Sequence, residues 1–228
     1  MHDGVVQDLV EAWAALLARH TTAPEAAAVG RRLLASWSEP HRRYHAVSHL
    51  RDILSYVDEL AEYADDVDAV RLAAWYHDAV YDGLPGDEER SARRARDELS
   101  ELGVLPDLVD EVARLVLMTI SHDPEPGDRN GETLSDADLA SLAIAHDSYA
   151  ANTAAIRDEY AHVSDEAWAE GRLRVLRGLL EAPRVFRTDY GRGSWELAAR
   201  ENMRAELRAM GRRPPQDGRG TPAPLRRT

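Results

Sequence analysis

The chain has 228 residues, of which 44% are hydrophobic and 30% charged, so it is long enough for one large or two small domains with a buried core. It contains no cysteine and no lysine, which excludes thiolate nucleophiles, iron–sulfur clusters, a P-loop and a pyridoxal Schiff base. Its formal net charge of −13 disfavours nucleic acid as a partner, because an acidic surface repels the phosphate backbone.

Helical spacing of apolar residues runs along almost the whole chain, and no stretch alternates as a strand does. The pattern predicts an all-α protein with one helical domain over residues 1–210. Proline and glycine between 122 and 133 predict a loop there. The predicted helices span 5–17, 24–37, 47–60, 65–81, 87–102, 106–120, 135–145, 150–162, 164–181 and 194–210.

The end of the chain and the overall hydropathy give two further expectations. Residues 211–228 hold four Pro, three Gly and five Arg against a single Asp, which predicts a disordered tail whose removal leaves stability and metal content unchanged. There is no run of about 18 apolar residues and no basic start followed by an apolar stretch. We therefore expect a cytoplasmic protein without membrane association.

Three spaced fragments carry residues that can bind a metal. The first ends at His49, the second is the pair His77-Asp78, and the third contains Asp136 and Asp138. Two imidazoles and two carboxylates can surround one divalent cation and still leave coordination positions open. Such an open site is typical of a metal-assisted hydrolase.

Helical register indicates which of these side chains face the protein interior. His77 follows Ala73 by one turn and Val70 by two and faces inward, so Asp78 beside it needs a cation or donors. Asp136 lies about 200° around a helix from Asp138, so both cannot point at one metal. We expect Asp136 to cap the helix, and whether it replaces Asp138 as a ligand is left open.

The same fragments resemble the HD-domain superfamily of metal-dependent phosphohydrolases, and specifically its small bacterial family of predicted metal-dependent HD phosphohydrolases. The resemblance extends over about residues 5 to 208. It rests on the ordered series of segments at 43–50, 75–82, 87–92 and 136–139.

The resemblance implies a helical bundle of the HD type that binds one divalent metal ion, which would be Mn, Fe, Co, Ni or Mg. It implies His49, His77, Asp78 and Asp138 as the metal ligands. Histidines that would bind a second metal soon after the His-Asp pair are missing from this chain, since the next one is His122.

The implied activity is hydrolysis of a phosphate ester of a small metabolite or nucleotide by attack of a metal-bound water. We expect Asp82, His122 and His45 to act on protons and phosphate, with Glu88 or Glu89 as alternatives to Asp82. We expect Arg43 and Arg90 to bind phosphate oxygens. The resemblance also indicates a basic element at Arg184 and Arg187, for which a structural role is the alternative.

Two other functions stay open at this point. One is a regulatory HD module that binds a metal or a nucleotide without turnover. The other is a di-iron oxygenase of the same superfamily, which the missing histidines disfavour. The expected partner is a small phosphorylated substrate, and a homodimer is left open.

Overall fold

The computed structural model describes residues 2–211, with side chains from residue 4 onward, so the predicted tail lies outside the described residues except for Gly211. Within this range the chain is helical and contains no strand, which confirms the all-α class. No helix in this range is long and apolar enough to cross a membrane. The α-helices are α1 His2–Leu17, α2 Ala26–Trp37, α3 Val47–Glu59, α4 Val67–Tyr76, α5 Asp87–Glu101, α6 Pro106–Met118, α7 Arg129–Leu139, α8 His146–Glu159, α9 Asp165–Glu181, α10 Asp189–Ser194 and α11 Glu196–Gly211.

The main hydrophobic core lies among α1 to α7 and is built around three buried tryptophans, Trp13, Trp37 and Trp75. The indole N–H of Trp13 donates to the carbonyl of Ala26 at 2.7 Å, and that of Trp37 donates to the carbonyl of Trp75 at 3.1 Å. Because a buried indole N–H needs a partner, these bonds fix how α2 lies against its neighbours. Trp37 also packs against the ring of His77, with centroids 5.4 Å apart.

A second, smaller cluster of buried residues forms between α9 and α11. Its largest member is Phe186, which lies in the connection before α10 and contacts Trp195 edge-on, with ring centroids 5.4 Å apart. The two clusters flank a cavity to which both groups of helices contribute residues.

Two predicted helix boundaries near the site are wrong. Helix α4 ends at Tyr76 rather than at residue 81, because arginine side chains form hydrogen bonds with the backbone carbonyls that follow. Arg42 donates to the carbonyl of Asp78 at 2.7 Å, and Arg94 donates to that of Ala79 at 3.0 Å. Helix α7 begins at Arg129, not at 135, since Asp128 caps it by accepting from the N–H of Gly131 at 3.0 Å.

Candidate metal centre

His77 directly follows α4, and its ring orientation is set by the backbone. Its Nδ1 donates to the carbonyl of Ala74 at 2.9 Å, which leaves Nε2 as the ring nitrogen that can bind a metal. The residue is 2% exposed, and its buried Nε2 forms no hydrogen bond within the described residues. A histidine held through Nδ1–H with a free, buried Nε2 has the arrangement of a metal ligand.

His49 of α3 and Asp138 of α7 converge on this nitrogen. Nε2 of His49 lies 3.1 Å from Oδ1 of Asp138, and Nε2 of His77 lies 3.7 Å from the same oxygen. The ligand atoms of the three residues all lie within 4.8 Å of one another, a grouping that can hold a metal ion. The sequence had predicted all three of these positions.

Asp78, the fourth predicted ligand, lies against one member of this group. Its Oδ2 is 3.1 Å from Nε2 of His77, although the geometry does not make a hydrogen bond. The group of three that meets within 4.8 Å does not include it. Its backbone carbonyl is held by Arg42, so the carboxylate is fixed at the edge of the cluster.

The charges around the cluster favour a cation. Burial by itself would lower the pKa of His77, but the negative charges of Asp78 and Asp138 raise it to about 9. Without a metal the ring therefore carries a second proton on Nε2 at neutral pH, which a bound cation would displace. Burial would raise the pKa of both carboxyl groups, and the neighbouring histidines instead bring it well below the usual range. Two ionised carboxylates therefore face one buried point beside two imidazole nitrogens, and a divalent cation suits that donor set.

His122 and His45 lie next to the cluster, as predicted. Nε2 of His122 is 3.5 Å from Oδ2 of Asp138, and burial lowers the pKa of this histidine. The His45 ring lies edge-on to that of His49, with centroids 5.7 Å apart. Nδ1 of His45 lies 2.6 Å from Oε2 of Glu159, a residue that the sequence analysis did not select.

The cluster opens into a cavity of about 810 Å³, a size typical of small-molecule sites. One part of its wall is lined by His77, Asp78 and Asp138 of the candidate metal centre and by His45 and His122. The rest of the wall combines apolar side chains from α7 to α9 with arginines. The lining includes Ile120, Leu139, Leu142, Ile156, Val175, Leu179, Arg172, Arg174, Arg184 and Arg187.

The structure does not bring Asp82, Arg43 or Arg90 to this cavity. Asp82 is 50% exposed and accepts from Arg90 at 2.8 Å, while Arg90 also pairs with Asp87. Arg43 is exposed, and none of these three predicted residues lines the cavity. Asp82 does not lie one helical turn after Asp78, because α4 has already ended at Tyr76.

Asp136 is neither a cap of its own helix nor part of the ligand group. It is 0% exposed and accepts from the backbone N–H groups of Arg187 and Thr188 at 2.7 and 2.8 Å, and from the Thr188 hydroxyl at 2.7 Å. It thereby ties α7 to the segment before α10. Gly191 permits the close approach, since a Cβ there would lie 2.6 Å from Oδ2 of Asp136. The candidate ligand on α7 is thus Asp138.

Comparison of this chain with protein-family models, with curated proteins and with solved structures finds no match.

Proposed function

We propose that the chain is a metal-dependent phosphohydrolase acting on a phosphate ester of a small metabolite or nucleotide. The observation that carries this proposal is the buried Nε2 of His77, which forms no hydrogen bond within the described residues and lies beside His49 and Asp138. Nitrogen and oxygen donors together fit Mn, Fe, Co or Ni better than a structural zinc, and Mg remains in the set to test.

A divalent ion held by His49, His77 and Asp138, with Asp78 at its edge, would polarise a phosphoryl oxygen and lower the pKa of coordinated water. The protein groups around it orient the substrate and the water. His122 and His45 place further imidazoles on the cavity wall beside the ligands, within reach of an ester bound there.

Arg187 is the cavity residue best placed to bind a phosphate oxygen. Its backbone is fixed by Asp136, and its Nη2 lies 2.8 Å from Oδ1 of Asp123, whereas its buried Nε has no hydrogen-bond partner in the described residues. A guanidinium with a free donor suits the planar, bidentate recognition of phosphate. The exposed ion pair of Arg90 with Asp82 offers no such donor to the cavity.

The rest of the cavity suits an organic group attached to the phosphate. Ile156, Val175 and Leu179 give an apolar wall, and Asn152 and Thr153 add amide and hydroxyl groups. Such a mixture of apolar surface and few polar groups is usual for ligands larger than inorganic phosphate.

The test begins with metal content. We expect the purified full-length chain to bind about one equivalent of Mn, Fe, Co or Ni, and His77→Ala to lose it after dialysis against chelator. His20→Ala is the matched control, because His20 pairs with Asp68 and does not line the cavity. Full metal content in His77→Ala would place the site elsewhere.

Turnover is measured next, with each metal, on a panel of nucleoside phosphates and sugar phosphates. Phosphate release by the unmodified chain, absent in His77→Ala, supports the proposal. A metal-loaded chain that binds members of the panel without releasing phosphate would instead support a regulatory module. Oxygen consumption by the iron-loaded chain would support an oxygenase.

A further inference from the structure

Glu159 is a buried carboxylate in a position that its own helix disfavours. It is the last residue of α8, where the helix dipole repels negative charge, yet its side chain is 1% exposed. Such a placement needs donors to offset the lost hydration. They come from the segment 43–45, more than a hundred residues earlier in the chain.

The two oxygens of Glu159 accept from different groups. Oε1 accepts from the backbone N–H groups of Arg43, Tyr44 and His45 at 2.6, 2.8 and 2.9 Å. Oε2 accepts from the ring of His45 at 2.6 Å and from the Tyr81 hydroxyl at 3.1 Å. One carboxylate therefore anchors the backbone of this segment and the side chain of its histidine together.

This contact decides which ring nitrogen of His45 carries the proton. Burial by itself would raise the pKa of Glu159, but the hydrogen bonds from His45 and the backbone lower it to about 2. Glu159 is thus an acceptor only, so Nδ1 of His45 must donate. Tyr81 stacks on the ring with centroids 4.2 Å apart, which fixes the ring plane. His45 lines the cavity, and its Nε2 forms no hydrogen bond to another of the residues that the structure describes.

We propose that Glu159 is a positioning residue that holds His45 with its proton on Nδ1 and presents the Nε2 lone pair to the cavity as a hydrogen-bond acceptor for water or substrate. The use of that acceptor in turnover rests on the proposed phosphohydrolase function. The tautomer itself does not, so it can be tested without any substrate.

The variant Glu159→Gln gives a directional test. Three backbone N–H groups face Oε1, so the amide oxygen of Gln takes that side and its NH₂ group replaces Oε2 opposite Nδ1. An N–H donor at this point needs an unprotonated Nδ1, and the proton of a neutral ring then moves to Nε2. The matched control is Asp158→Asn, which makes the same change of charge on the preceding, exposed residue.

The measurement is the ¹⁵N NMR spectrum of the imidazole nitrogens in the full-length chain with Zn²⁺, which is diamagnetic, at about pH 8.5, well above the ordinary histidine pKa. His45→Gln assigns the signals by their loss. We expect Nδ1–H in the unmodified chain and in Asp158→Asn, and Nε2–H in Glu159→Gln. Nε2–H in the unmodified chain, or an unchanged tautomer in Glu159→Gln, would overturn the proposal. The unmodified chain decides the question if Glu159→Gln does not fold.

Turnover supplies an independent second measurement, on any substrate that the unmodified chain hydrolyses. We expect Glu159→Gln to lower kcat at least tenfold while metal content and KM stay close to those of Asp158→Asn. An unchanged kcat with a reversed tautomer would remove His45 from the chemistry. A chain that hydrolyses nothing on the panel would refute the phosphohydrolase, and the tautomer result would be unaffected.

Discussion

His122 has a backbone conformation that L-residues with a side chain rarely adopt. Its φ is 50°, in the left-handed region, and its N–H still donates to the carbonyl of Met118 at 3.0 Å. This conformation turns the chain sharply after α6 and places the imidazole 3.5 Å from Asp138. The backbone is thus strained at a residue that lies beside the candidate ligands.

The strain leads to a prediction about stability. Both His122→Gly and His122→Ala remove the imidazole, but only glycine adopts a positive φ without strain. We expect the glycine variant to be more stable than the alanine variant by about 1 kcal/mol, measured by urea denaturation of the metal-free chain. Equal stabilities would show that the chain relaxes out of the left-handed region once the imidazole is gone.

A second prediction compares Arg187, which lines the cavity, with Asp82, which the sequence predicted to act in the reaction but which lies outside the cavity. Arg187→Met removes the guanidinium but keeps the backbone N–H that donates to Asp136. Loss of a charged hydrogen bond of about 1.5–3 kcal/mol lowers kcat/KM roughly 10- to 150-fold. Asp82→Asn, at an exposed ion pair outside the cavity, should leave kcat/KM unchanged. The reverse ranking in steady-state kinetics would restore Asp82 as the catalytic candidate.

His49, His77 and Asp138 were implied by the resemblance to the HD-domain superfamily, and these three side chains meet in the structure. Helical register alone had left Asp136 and Asp138 open. Glu159 carried no such signal. It lies at the end of an ordinary helix, and its partners are 78 to 116 residues away. Its role exists only once α8 packs beside the segment before α3, so local pattern could not reveal it.

At the scale of elements, helix ends near the site depend on tertiary contacts. The apolar periodicity of α4 continues past Tyr76, which is why the helix was predicted to reach residue 81. The Ser91 hydroxyl instead accepts from the N–H of Val80 at 3.0 Å, and Arg42 and Arg94 take the preceding carbonyls. These contacts replace the helical hydrogen bonds and leave His77 and Asp78 at a helix end, where adjacent side chains can reach one point.

Asp136 gives a prediction about how elements are held together. Burial raises its pKa to about 6, against three donors that lower it, so it is ionised at pH 7.5. Asp136→Asn turns an NH₂ group toward at least one donor from residues 187 and 188. We expect a loss of about 2–3 kcal/mol in unfolding free energy, against about 0.5 kcal/mol or less for the exposed Asp110→Asn. A similar small loss in both would show that Asp136 does not anchor the segment.

Glu159 predicts a specific dependence of stability on pH. Its pKa in the folded chain is about 2, below the ordinary 4.5, so the ionised form stabilises the fold. That stabilisation is fully present above pH 4.5 and is lost as the pH falls from 4.5 through 2. We expect the difference in unfolding free energy between the unmodified chain and Glu159→Gln to shrink as the pH falls from about 4.5 towards 2. A difference that does not vary with pH would contradict the lowered pKa.

At the scale of the whole molecule, the cavity lies between two hydrophobic clusters, and the candidate ligands come from the larger one. His49 lies in α3, His77 at the end of α4 and Asp138 in α7. All three helices pack into the main core. Arg187 and Glu159 come from the later helices and their connections. The candidate ligands are thus held by the main core, while the later helices supply Arg187 and apolar side chains to the cavity, where they would surround a substrate of the proposed reaction.

A metal held by three separate elements should stabilise the whole fold, because it binds the folded chain only. Binding at 100 times Kd adds about 2.7 kcal/mol, which for a chain of this size corresponds to a rise in Tm of roughly 5–10 °C. We expect this rise when Mn²⁺ is added to the chelator-treated chain, and in His20→Ala, but none in His77→Ala. The measurement is a calorimetric scan with and without the metal. An equal rise in His77→Ala would mean that Mn²⁺ stabilises the chain from another site, because His77 supplies the only buried free nitrogen of the described ligand group.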